Sequence, residues 1–173
     1  MLWNDWDFIF KLMAFFLRCK FFTDSSLSAL CTLMDALELL TRDHQKVREL
    51  FHQAETMEQS KTRRIFRQIK RELEAHLRIE EGIFYPAIEH RDELKGALLD
   101  SQAKNRQVKT LLAKINILVS QNKPFALKFK LLEVKVKRRD EEEERKIFPQ
   151  VRSVIDDATL KRLGQQFQVA KGS

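Results

Sequence analysis

Four residues, His44, His76, Glu80 and Glu143, combine types and spacings that could do chemistry together. His76 and Glu80 stand four apart, so on a helix both side chains leave one face and converge. His44 interrupts an apolar stripe made by Leu37, Leu40, Val47 and Phe51, and Glu143 follows a stripe through Leu132 and Val136. A lone histidine on such a face is more often a hydrogen-bonded core residue than a ligand. Two imidazoles and two carboxylates on matching faces ask for more, because buried carboxylates must be neutralised by a cation or by donors. Nitrogen and oxygen donors of these kinds suit iron, manganese or zinc.

The chain repeats itself. A unit beginning Asp43-His44-Gln45-Lys46-Val47 and closing Ile83-Phe84-Tyr85-Pro86 returns as Lys104-Asn105-Arg106-Gln107-Val108 closing Ile147-Phe148-Pro149. With the prolines aligned, Arg139 falls on His76 and Glu143 on Glu80; with the valines aligned, Asn105 falls on His44. A duplicated pair of helices is implied. The second copy lacks both histidines of the first.

These residues need helices to position them. The spacing predicts helices over 35–57, 61–84, 93–119 and 125–147, with a short last helix over 156–169. Pro86 is expected to end or bend the second, and Pro149 to stop the fourth. A turn at Gln121-Asn122-Lys123-Pro124 separates the third from the fourth. Connections this short favour antiparallel neighbours, hence an all-α, up-and-down four-helix bundle.

Composition agrees: only four glycines and three prolines stand among 173 residues. The formal net charge is +7, from 32 basic and 25 acidic residues. The two signs are interspersed as on solvated helix faces, so no nucleic acid is expected as a partner. A basic run at Lys135, Lys137, Arg138 and Arg139 is followed by Asp140–Glu144, which would repel phosphates. Both cysteines, Cys19 and Cys31, precede the repeat, so no disulfide framework or thiolate-rich zinc site belongs to it, and a cytoplasmic setting is expected. The sequence shows no nucleophile elbow, no glycine-rich phosphate loop and no Cys-x-x-Cys, and an enzyme is not expected. His52 and His90 are expected at the surface. Glu81, Glu141, Glu142 and Glu144 are expected to be solvated, with Glu81 a candidate to support a ligand.

Residues 1–33 read differently. A phenylalanine-rich run from Phe8 to Leu17 is preceded by Asp5 and Asp7, unlike a secretory signal, and is too short and too charged to span a membrane. Two readings stand open: an interfacial helix touching lipid through Lys11, Arg18 and Lys20, or an unstructured or mis-assigned start ahead of Met34. The bundle proper is expected over 34–155, with 156–173 a C-terminal helix and tail.

The segments Leu39–Val47, His76–Pro86 and Glu142–Pro149 resemble the hemerythrin-like family, the HHE cation-binding domains. The resemblance covers about residues 34–155. It implies a four-helix bundle holding a non-haem di-iron centre bridged by two carboxylates, with dioxygen binding or the sensing and handling of iron, oxygen or nitric oxide as function. His44, His76 and Glu80 match ligand positions of the first half, and Glu143 a bridging carboxylate of the second. Asn105 and Arg139 stand where the family has histidine, so a normal di-iron site is not expected. One position keeps two imidazoles and two carboxylates; the other has no histidine.

Arg139 has two readings of its own. A permanently charged guanidinium cannot ligate a metal but can pair with Glu80 or Glu143, or it can reach outward beside Lys137 and Arg138. Two functions follow: a protein binding a single metal ion, iron first, through His44, His76, Glu80 and Glu143, or a metal-free bundle serving as an interaction module. The sequence leaves the oligomeric state open.

Overall fold

The computed structural model describes residues 34–55 and 58–172, and the extension over 1–33 lies outside the described residues. Asp35 caps the first helix, α1 (Ala36–Glu55), by a reciprocal exchange: its carboxylate accepts from Glu38 N–H at 2.9 Å and its own N–H donates to Glu38 Oε2 at 2.9 Å. After a short connection, α2 (Gln59–Ile79) returns antiparallel. It does not end at Pro86. A π-helical turn (Glu80–Phe84) widens the helix just before the proline, and α3 (Tyr85–Ile88) continues beyond it. The chain reverses through a 3₁₀ turn (Asp92–Leu94) into α4 (Lys95–Ser120). A turn with Asn122 at φ 57° leads to α5 (Ala126–Glu142); asparagine tolerates this left-handed conformation.

The second half repeats the detail of the first. A π turn (Glu143–Ile147) widens the helix, and α6 (Phe148–Val154) runs on through Pro149. The expected stop at Pro149 is therefore corrected. Proline has no N–H to give and its ring presses on the carbonyl four residues back, so a regular α-turn there is costly. A turn closed five residues back, as Tyr85 N–H to Glu80 O and Phe148 N–H to Glu143 O, accommodates it. The expected short last helix is α7 (Asp157–Gly172).

Together α1, α2, α4 and α5 close a ring in which each helix touches the next, an all-α, up-and-down antiparallel four-helix bundle. Its dry part is built by Phe51, Phe66, Ile69, Leu112, Phe125, Phe129 and Leu132. Phe66 meets Phe129 edge-on at 6.3 Å between ring centroids, a favoured aromatic arrangement. Along the same helices the core turns polar: His44, His76, Glu80, Asn105, Arg139, Asp140 and Glu143 are all buried. Helix α7 lies against α1 and the first π turn, and Phe167 enters the core beside Phe84. No described helix is long and apolar enough to cross a membrane.

Candidate metal centre

All four helices of the ring contribute to one polar cluster. His44 comes from α1, His76 from α2, Glu80 and Glu143 from the two π turns, Asn105 from α4 and Arg139 from α5. One ligand atom from each of His44, His76, Glu80 and Glu143 can be chosen so that all lie within 4.8 Å of one another. Donors about 2.0–2.2 Å from an ion stand at most roughly 4.4 Å apart, so the widest pair needs to close by only a few tenths of an ångström.

Both imidazoles are held in the orientation that a ligand needs. His44 Nδ1 donates to Glu144 Oε1 at 2.8 Å, and Arg48 Nη1 donates to the same oxygen at 3.1 Å. His76 Nδ1 lies 3.4 Å from Asp43 Oδ2. The Nε2 atoms then face one another at 3.3 Å. A carboxylate behind each ring fixes which nitrogen looks inward, the arrangement that supports histidine ligands in metal sites. The rings also make a tilted contact at 4.8 Å, and Phe148 stacks on His44 at 5.9 Å. Thus Glu144, expected to be solvated, is half-buried and supports His44. Glu81, the expected support, instead pairs with Lys109 at the surface. The signal for Asp43 and Glu144 was their adjacency to His44 and Glu143, which by itself does not say which way they turn.

Arg139 turns inward. Its side chain is 1% exposed, which settles the choice against solvent. Nη2 lies 2.8 Å from Glu80 Oε1, 3.0 Å from Glu143 Oε2 and 2.5 Å from His76 Nε2, while Nε donates to Glu143 Oε1 at 3.3 Å. His76 Nε2 also lies 3.0 Å from Glu80 Oε1, so the ring stands between the carboxylates of Asp43 and Glu80. Asn105 Nδ2 donates to Glu80 Oε2 at 3.0 Å and to Tyr85 Oη at 3.2 Å, and Tyr85 Oη donates to Glu143 Oε1 at 3.4 Å. The residues at the two lost histidine positions therefore supply donors to the retained carboxylates.

The electrostatics follow from this wiring. Burial disfavours the imidazolium of His44, but hydrogen bonds to Glu143 and Glu144 outweigh it and raise its pKa to about 9. Burial would raise Glu80, yet the Arg139 and His76 charges hold it well below the usual carboxylate range. Burial, joined by the Glu80 and Glu143 charges, pushes the Tyr85 hydroxyl well up. Burial likewise raises Asp140, whose two carboxylate oxygens have no hydrogen-bond partner.

A cleft of about 540 Å³ leads from the surface to His76, lined by Asp43, Lys46, Arg71, Glu72 and Lys171 among others. Lys171 of α7 clamps Asp43 with contacts of 2.5 and 2.6 Å. A more apolar cleft of about 570 Å³ beside Phe125 and Phe129 touches none of these residues. His52 is exposed and bonded to Glu55, and His90 is exposed in the connection after α3, both as expected.

The model of the hemerythrin HHE cation binding domain matches residues 35–151. The chain belongs to that family. A crystal structure of a hemerythrin HHE cation binding domain-containing protein from Mycobacterium kansasii is similar, at 25% identity and a TM-score of 0.66 over 80% of this chain and 86% of the other. No curated protein matches the chain. As an HHE cation-binding domain, this is a hemerythrin-like metal-binding protein. The donors present fit a single ion: His44, His76, Glu80 and Glu143 carry the right atoms, two of them with carboxylate support. At the matching positions of the other half stand an amide and a guanidinium, Asn105 and Arg139, both buried.

Proposed function

We infer that this HHE domain binds one metal ion, non-haem iron, through His44, His76, Glu80 and Glu143, in the sensing or handling of iron, oxygen or nitric oxide. The observation that carries the reading is the convergence of those four buried side chains within 4.8 Å, with Glu144 and Asp43 behind the two rings. Manganese and zinc are chemically admissible in the same donors. Reversible oxygen carriage is disfavoured, because in the family it draws on two irons and this chain keeps histidines for one. The role is that of a cytoplasmic binding protein rather than an enzyme.

A second reading is favoured by one observation: Arg139 Nη2 already stands among His76, Glu80 and Glu143. In that case the bundle is closed by its own cation and acts as a metal-free interaction module.

Metal analysis separates the two. Protein purified without chelators, or loaded with ferrous ion under anaerobic conditions, is expected to carry one ion per chain, and His76→Ala to carry none. Loading should also raise the thermal midpoint, since an ion bound only by the folded state stabilises it by mass action. Wild-type stoichiometry near zero under both conditions would remove the first reading and leave the second.

A further inference from the structure

Asp140 is a buried carboxylate that the cluster does not use and, unlike buried Asp35, it takes no hydrogen bond. It is 1% exposed, yet neither carboxylate oxygen accepts a hydrogen bond. Its Oδ1 lies 3.8 Å from Arg139 Nε and 3.8 Å from His44 Nε2, close enough for attraction and too far for a bond. Burying such a group without donors is unfavourable, and shape does not require it. With the two halves aligned on their prolines, Asp140 falls on Leu77, a buried apolar residue of the first half. The second half therefore differs at two consecutive positions: a guanidinium where the first has His76, and a carboxylate where leucine suffices for the core.

Arg139 has the complementary surplus. Its Nη1 is buried and has no partner. Its Nη2 occupies the space between three of the four donors that an ion would use. Two cations cannot share those donors, and at 1% exposure the guanidinium has no open route to solvent. An unused carboxylate, that of Asp140, stands 3.8 Å from its Nε.

We propose that the Arg139–Asp140 pair is an internal cation-exchange device: an arriving metal ion displaces the guanidinium from Glu80, Glu143 and His76, and Asp140 receives it. The inference rests on the single-ion reading above. In the empty site Arg139 balances the carboxylates; in the loaded site the ion does so, and Arg139 pairs with Asp140, whose Oδ1 already stands 3.8 Å from its Nε. Asp140 thus sets metal affinity without being a ligand. It lowers the cost of moving a buried charge that would otherwise be left without a counter-ion.

Four proteins test this: wild type, Asp140→Asn, Arg139→Met and the double variant, each titrated anaerobically with ferrous ion against a competing chelator. Asp140→Asn is expected to weaken ferrous binding tenfold or more. In the Arg139→Met background, with no guanidinium to receive, the same change should have no effect on affinity. Equal weakening in both backgrounds would make Asp140 a direct ligand and overturn the exchange. Unchanged affinity of Asp140→Asn in the wild-type background overturns this inference alone, whereas a wild type that takes up no ion overturns the proposed function with it. Should Arg139→Met fail to fold, zinc titration of the wild type followed at the Arg139 Nε–H resonance decides. A signal that shifts in the wild type but not in Asp140→Asn is expected; one that does not move during stoichiometric loading overturns the proposal.

Discussion

A guanidinium that is 1% exposed touches Glu80, Glu143 and His76 at once and balances the charge of both carboxylates. Truncating it removes the nearest permanent positive charge from two buried carboxylates. Arg139→Met is therefore expected to lower the stability of the metal-free protein by about 3–5 kcal/mol, the usual consequence of breaking one side of a buried ion pair. Asn105 works on the same carboxylates by hydrogen bonding alone, donating to Glu80 Oε2 and Tyr85 Oη. Asn105→Leu should cost less, about 1–3 kcal/mol, the penalty for buried acceptors losing a donor. Urea unfolding of chelator-treated protein gives both numbers, and the order is the test. An asparagine change as costly as the arginine change would mean that hydrogen bonding, not charge, closes the empty site. The type of Arg139 was legible in the sequence as a departure from histidine, but its direction was not. The spacing to Glu143 allowed an inward contact and the neighbouring Lys137 and Arg138 allowed an outward one; the choice needed Glu80 of another helix as a second partner.

At the scale of the elements, the two π turns have most to do with the site. Each begins at a site carboxylate, Glu80 or Glu143, and each precedes a proline that the helix then passes through. A π turn holds one residue more than the α-turn it replaces, and it re-aims the side chains on either side. Gly82 lies within the first, exposed, with nothing near the space a Cβ would fill. Deleting Gly82 should restore α geometry and press the Pro86 ring on the preceding turn, at about 3 kcal/mol. Adding Pro86→Ala to the deletion should recover most of that loss. Denaturation of the three variants checks it: a deletion as costly with alanine at 86 as with proline would show that the proline is not what widens the turn. The prolines were plain in the sequence and the expectation of a stop after the fourth helix was reasonable from local rules. Tertiary contact overrode it, because Phe148 and Val151 beyond the widened turn are buried and hold the helix to the core.

Among the described residues, 35–172 form a ring of four long helices with a fifth laid across the polar end. That fifth helix, α7, lies beyond the span matched by the family model, yet Phe167 is 1% exposed and sits 6.2 Å from Phe84 in an edge-on contact. Lys171 from the same helix clamps Asp43, which in turn faces His76. Phe167→Ala should cost about 3–5 kcal/mol, as large aromatic truncations in cores do, with an unchanged denaturant slope. A loss well under 1 kcal/mol would make α7 a tail rather than part of the core. The sequence by itself determined the bundle and the donor atoms. A 3.6-residue period places His76 and Glu80 on one helix face, and duplication carries the same geometry to Glu143 on another helix. Tertiary structure alone decided which charges meet. Glu144 reaches His44 across one hundred residues, Lys171 reaches Asp43, Arg139 reaches Glu80, and Asp140 is left with no hydrogen-bond partner. Periodicity fixes the face a side chain leaves from, whereas the height and rotation of one helix against the next fix what it finds there, and those come from the sum of core contacts across the molecule.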